Sequence, residues 1–173
     1  MISAGLQKAI DNLNIQDVYV RDQVASCIGD FDPKYSAEIE RLTIQQMHLV
    51  KQASVVALDD ESQLLRVFVR LGARWVDPEE KNEELAVRAV IEAEFIAEYQ
   101  MTATLEQACI DEFSLKNASY HIWPYWRELL SNQCARMHLP RLILPAVQLA
   151  HNRHQEAEAL ESPETKVPDQ SGL

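Results

Sequence analysis

Hydrophobic positions over the first hundred residues alternate mostly with a period of two, whereas those after Met101 recur at helical spacing, so strands are predicted to precede helices. A short helix stands before them. Leu6, Ala9, Ile10 and Leu13 line one face of about three turns, too few to persist alone in water, and this helix is expected to dock on the rest of the chain. From Ile15, Val18, Val20 and Val24 alternate against Asp17, Tyr19 and Arg21 and predict a first strand ending near Ala25. The segment Ile28 to Ala37, with Gly29, Asp30, Asp32 and Pro33, is a connection longer than a hairpin allows. A second strand is predicted from about Ile39 to Leu58. Leu42 and Ile44 have one parity and Met47 and Leu49 the other, so a bulge is expected between them.

The third strand places Leu65, Val67, Val69, Leu71, Ala73 and Trp75 on one face and Arg66, Phe68, Arg70 and Arg74 on the other, which predicts a core side and a mostly wet side. After a polar turn, Asp77 to Glu84, a fourth strand alternates Val87, Ala89, Ile91, Ala93, Phe95, Ala97, Tyr99 and Met101 with Arg88, Glu92, Glu94, Ile96 and Glu98. A symmetric turn centred near Glu80 and Lys81 would set Arg70 opposite Glu92 and Arg66 diagonal to Glu94. Glu98 would then lack an arginine, with Ile96 exposed beside it. Helices are predicted over Leu105 to Asn117 and Ile122 to Met137, with Pro124 in the first turn of the second. Pro140 and Pro145 bracket a short extended piece, Ala146 to Glu161 reads as a helix with a thin apolar stripe, and 161–173 as a disordered tail. The order is that of an α+β domain with a four-stranded antiparallel sheet over 15–160, preceded by a helical extension, 1–14.

Composition narrows the chemistry. The chain has 173 residues with 27 acidic against 16 basic side chains, a formal net charge of -11, which fits one domain and disfavours nucleic acid and anionic lipid in favour of basic partners. The first 13 residues lack a basic region and an apolar run, and no segment approaches the roughly 18 apolar residues of a membrane span. A cytoplasmic protein without direct membrane insertion is expected. Cys27, Cys109 and Cys134 stand apart with no CxxC, as in a reducing compartment. Four glycines leave no phosphate loop. His151, His154 and Glu158 share one helical face, but a structural metal site needs a fourth ligand and none is clustered elsewhere, so no metal and no other cofactor is expected. No GxSxG elbow or protease cysteine signature occurs, and a Ser/His/Asp arrangement is neither supported nor excluded by spacing. Glu92, Glu94 and Glu98 could be read as catalytic carboxylates, residues two apart on a strand face being about 7 Å from one another, but an exposed sheet face is the simpler reading. The chain is not expected to be an enzyme.

Three ordered segments carry a family resemblance. IWPYWRELLSNQCARMHLPRLIL, Ile122 to Leu144, resembles the helix and following loop of the SecB export chaperones. IQDVYVRD, Ile15 to Asp22, is similar to that family's first strand, and EFIAEYQ, Glu94 to Gln100, to its fourth. The resemblance implies a Greek-key sheet with the first strand beside the fourth, and an ATP-independent chaperone that assembles as a homotetramer, a dimer of dimers. Such a chaperone holds unfolded preproteins in apolar grooves and hands them to the SecA motor. It places Asp22, Ile96 and Glu98 on the surface that receives the basic SecA tail. Trp75, Trp123 and Trp126 are candidate walls of the client groove, or else ordinary core residues. Ser26 stands where the pattern has a second acid, the N-terminal helix is additional, and Pro145 is displaced by one residue. These departures mark a divergent member, and the alternative the resemblance offers is a solitary SecB-like chaperone that protects an antitoxin or another aggregation-prone client without SecA.

Overall fold

A computed structural model describes residues 2–146. The helix expected over Ala146 to Glu161, with His151, His154 and Glu158, and the tail 161–173 lie outside the described residues, Ala146 excepted. The chain opens with α1, Ala4–Asn12, whose first turn is capped where the Ser3 hydroxyl accepts from the Leu6 amide at 3.0 Å. Its Leu6 and Ala9 are buried and it packs on α3, Gln107–Lys116, so the docking expected of so short a helix is found.

Four strands form one antiparallel sheet: β1, Leu13–Cys27; β2, Thr43–Ala57; β3, Gln63–Val76; and β4, Val87–Met101. Their spatial order is β1-β4-β3-β2, the Greek-key order in which a long crossover returns the first strand to the side of the fourth. Between β3 and β4 the chain makes one short helix, α2, Glu83–Ala86. One sheet face, with Leu65, Val67, Leu71, Trp75, Ile91, Phe95 and Tyr99, is buried under α3 and α4, Ala118–Arg136. No helix among the described residues is long and apolar enough to cross a membrane.

Several expectations are corrected. Residues Ile39–Arg41 form a single 3-10 turn and β2 begins only at Thr43. Ile44 pairs with Trp75 and faces the helices, while Met47 and Leu49 pair with Gly72 and Arg70 and face the other way, with no register shift between them. The parity change therefore marks apolar residues on both faces. The break in β2 comes at Lys51, between Val50 and Gln52. The turn before β4 is centred further along than expected, because α2 lies inside it and Arg88 is an extra residue where β4 begins to pair; Arg70 consequently faces Glu94 and Arg66 faces Glu98. The pairing slid by two residues, which kept every side chain on its predicted face. α4 starts at Ala118, so Pro124 lies inside the helix; burial of Ala118, Ser119, Ile122 and Trp123 outweighs the hydrogen bond that Pro124 cannot donate.

The second sheet face is not wet. Phe68, Ile96, Glu92 and Glu94 are all buried there. Bulges explain it: β1 carries two extra residues, Gln16 and Arg21, and β2 one, Lys51, and a bulge bends its strand and re-aims the side chain it inserts. Both cations reach Glu94 near the middle of the sheet, Arg21 at 2.6 Å from one edge strand and Lys51 from the other. The outer face is thus roofed by its own charged side chains.

Candidate functional site

Among the described residues, one concavity opens at the crossover and another on the outer sheet face. The first is formed by the crossover from β1 to β2 and by α2. Gly29, at φ +59°, turns the chain just after the Ile28 amide bonds to the Arg88 carbonyl at 2.8 Å. Asp32 then closes the next turn: its carboxylate accepts from the Lys34 amide at 3.0 Å and its carbonyl from the Ser36 amide at 3.0 Å. Opposite, Asn82 caps α2 by accepting from the Glu84 amide at 3.0 Å. Between these walls lies a cleft of about 500 Å³.

Its apolar lining is unusual for a turn. Tyr35 is 77% exposed, Leu85 60%, and Ile28 lies with them, above a half-buried Phe31. Four carboxylates, Asp30, Asp32, Glu38 and Glu84, line the same cleft; Glu38 is bridged to Arg41 at 3.2 Å and to Arg88 at 3.7 Å, which leaves Asp30, Asp32 and Glu84 without a salt bridge among the described residues. Beneath it, Asp77 anchors the crossover to the sheet: it accepts from Arg41 at 2.9 Å and from Arg88 at 3.0 Å. The Arg41 hydrogen bond leads in holding the Asp77 carboxyl down at about 2, joined by the Glu79 amide and Arg88 against burial. Burial and the nearby Asp32 raise the Cys27 thiol, so it is not an activated nucleophile. A surface of fixed acids around exposed aromatic and aliphatic side chains is chemically suited to hold a basic, apolar, extended chain.

The second concavity is the bent outer sheet face, about 530 Å³, lined by Tyr19, Arg21, Lys51, Arg66, Phe68, Glu94 and Ile96 among others. Its charges are paired. Glu92 accepts from Arg70 at 2.9 Å and Arg74 at 3.0 Å; burial opposes its ionisation, and the two guanidinium hydrogen bonds outweigh it and lower its pKa. Glu94 is lowered by the Lys51 hydrogen bond against burial, with Arg21 adding to it. Glu98 accepts from Arg66 at 3.0 Å and from the Tyr19 hydroxyl at 2.9 Å, and that hydroxyl accepts from Arg66 in turn.

The residues predicted from sequence fall as follows. Trp75, Trp123 and Trp126 are core residues, each at most 2% exposed, and line neither of these two concavities. They are covered by packing between the sheet and α4, which no local pattern reports. Ile96, expected to be exposed, is 2% exposed under the bulge cations, and Glu98, expected to be unpaired, holds Arg66. Asp22 lies opposite Glu94 rather than near Glu98, whose partner on β1 is Asp17. Asp22, Ile96 and Glu98 therefore do not form an open acidic patch around an apolar residue. Ile28 and Tyr35 were missed because they sit in a segment read as a polar connection, and Leu85 because it falls between the turn that ends at Glu84 and the strand that begins at Val87; the available signal was that large apolar side chains in such connections have no core to enter.

No protein-family model matches the chain, and no curated protein matches it in sequence. Among solved structures, it is similar to the Mycobacterium tuberculosis Rv1957 SecB-like chaperone in complex with a ChAD peptide from the Rv1956 HigA1 antitoxin. The match has a TM-score of 0.64 at 16% sequence identity and covers 84% of this chain and 98% of that one. The fold is that of a SecB-like chaperone, as the three sequence segments implied.

Proposed function

We propose that this chain is an ATP-independent holding chaperone of the cytoplasm, not an enzyme, and that it takes unfolded client segments in the crossover cleft. The observation that carries this reading is the group of exposed apolar side chains, Ile28, Tyr35 and Leu85, set among four carboxylates on a SecB-like fold. A micromolar complex needs about 8 kcal/mol, and burying one large side chain supplies roughly 1.5 to 3 before the client's ordering cost is subtracted. One cleft is too small for that. Several clefts on one assembly hold a long client by rebinding, at effective concentrations near millimolar for short tethers. A homotetramer supplies them. β1 is an edge strand whose Ile15 and Val20 share the helix-covered side with Tyr99 and Phe95 yet stay exposed, which supports assembly through this edge. Trp123, Trp126 and Met101 are buried in the protomer and supply none of this assembly surface.

Of the two client readings, the solitary chaperone guarding an antitoxin or similar protein is favoured over handover of preproteins to SecA. A basic SecA tail needs several free carboxylates; Glu98 and Glu94 are held by Arg66, Arg21 and Lys51, Ser26 supplies none, and the exposed Asp22 lacks the second acid of the pattern beside it. The similar structure binds an antitoxin peptide. Dilution of a urea-denatured client into buffer with this protein and no nucleotide tests the holding activity by light scattering: suppression in proportion to chaperone is expected, and unchanged aggregation contradicts it. Titration with the SecA tail separates the two client readings, since saturable binding would restore the SecA route.

A further inference from the structure

The bulge cations on the outer sheet face converge on a carboxylate that belongs to the protein itself. Glu94 is almost wholly buried, Arg21 reaches it from β1 and Lys51 from β2, and Ile96, two residues on, lies on the same face beside Phe68. A carboxylate and an apolar side chain two residues apart on an extended strand are therefore already seated under two cations. The cations retain capacity: among the described residues, the guanidinium of Arg21, with five N–H donors, gives one hydrogen bond, and the ammonium of Lys51, with three, gives one. Arg21, Lys51 and Arg66 face a single carboxylate, Glu94, within the cavity lining; Glu98 at its border neutralises Arg66, and Asp22 stands in solvent at the β1 rim. In a chain of net charge -11 this is a cationic trough with an apolar floor.

We infer that the trough is a second peptide site, for an extended acidic segment in which Asp or Glu stands two residues from a large apolar side chain. The incoming carboxylate takes the unused donors of Arg21 and Lys51, and the apolar side chain lies over Phe68 and Tyr19. The inference rests on the chaperone reading for the source of its ligand and extends it, since the crossover cleft is acidic and the trough cationic. A client with segments of both signs then binds each in its own place, and the two sites discriminate by charge.

Fluorescence anisotropy on the full chain tests this with a labelled nonapeptide that sets glutamate and leucine two residues apart, and with its lysine-for-glutamate counterpart. The acidic peptide is expected to bind at least about tenfold more weakly to Lys51→Gln or Arg21→Gln, whereas Lys51→Arg retains it. The lysine peptide should ignore these changes. Amide chemical-shift mapping on the unaltered protein gives an answer even where a variant fails to fold: perturbation at Tyr19, Lys51 and Phe68, and none over Ile28 to Ser36, is expected. Absence of acidic-peptide binding, equal binding by the glutamines, or perturbation at the crossover overturns the inference, as does binding of laurate in place of the peptide. Aggregation suppression measured in parallel keeps the two claims apart. Suppression without acidic-peptide binding removes the trough site alone, and acidic-peptide binding without suppression removes the holding function alone.

Discussion

Side chains that look alike in the sequence have different duties in the fold, and the tryptophans show it. The indole N–H of Trp123 donates to the Pro145 carbonyl at 2.8 Å and its ring stacks on His48, so it ties the end of the described chain to the core. The indole N–H of Trp75 has no hydrogen-bond partner among the described residues. Phenylalanine at either position removes a similar volume, but only at 123 does a hydrogen bond go with it. Trp123→Phe is expected to cost about 1 kcal/mol more than Trp75→Phe, read as the difference between their urea midpoints scaled by a common slope. Asp77 makes a second prediction. Its folded pKa, about 2, lies below the ordinary 3.8, so its contribution is complete above that ordinary value and is lost as pH falls through the folded one. The stability gap between the native protein and Asp77→Asn should stay constant from neutral pH down to about 5 and then narrow towards pH 2. A gap that widens in acid would contradict the assignment. Neither duty was legible beforehand: size and hydrophobicity are the same for a groove wall and a core residue, and the Asp77 partners, Arg41 and Arg88, come from separate elements.

Within the described residues the four strands and α1, α3 and α4 were read from their periods in the right order, and β3 and β4 with the right facing, because alternation states which residues share a face; Met47 and Leu49 of β2 face away from Ile44 without the bulge expected between them. β4 and the core side of β3 are the clearest cases. What periodicity cannot report is how far one strand slides past another, which is set by the turn, or where a bulge inserts a residue. Hence the two-residue slip that gave Arg66 to Glu98, and the displaced bulge in β2. Those two details decide the outer face, and with them the character of the site that Asp22, Ile96 and Glu98 were expected to form. Close packing on that face also explains Gly72, where a Cβ would stand 3.0 Å from the Glu92 side chain and 3.3 Å from Met47. Gly72→Ala is expected to destabilise by about 1 to 3 kcal/mol through overpacking, measured by denaturant unfolding. An unchanged midpoint would mean that Glu92 leaves Arg70 and Arg74 without cost.

At the scale of the molecule, the acidity gathers at the crossover and not on the sheet. The net charge of -11 suggested basic partners and the resemblance set their surface on the sheet, yet Glu92, Glu94 and Glu98 are matched there by arginine and lysine, and a concentrated acidic lining is found at the crossover instead. Assembly is the first global prediction. Light scattering should give four times the 19.7 kDa protomer, and Val20→Asp on the β1 edge should lower it without loss of helical and strand signal. A stable monomer at micromolar concentration would remove the avidity on which long clients depend. The most direct measurement is the affinity of one long unfolded client, without nucleotide, for the native protein and for the double variant Tyr35→Ser, Leu85→Ser. Both residues are exposed, so the fold and its unfolding midpoint should be unaltered. The account predicts that the double variant loses at least about tenfold in affinity while a ten-residue peptide without acidic residues, which can fill only one crossover cleft, binds poorly to either protein. Equal affinity of the native and double-variant proteins for the long client would contradict it.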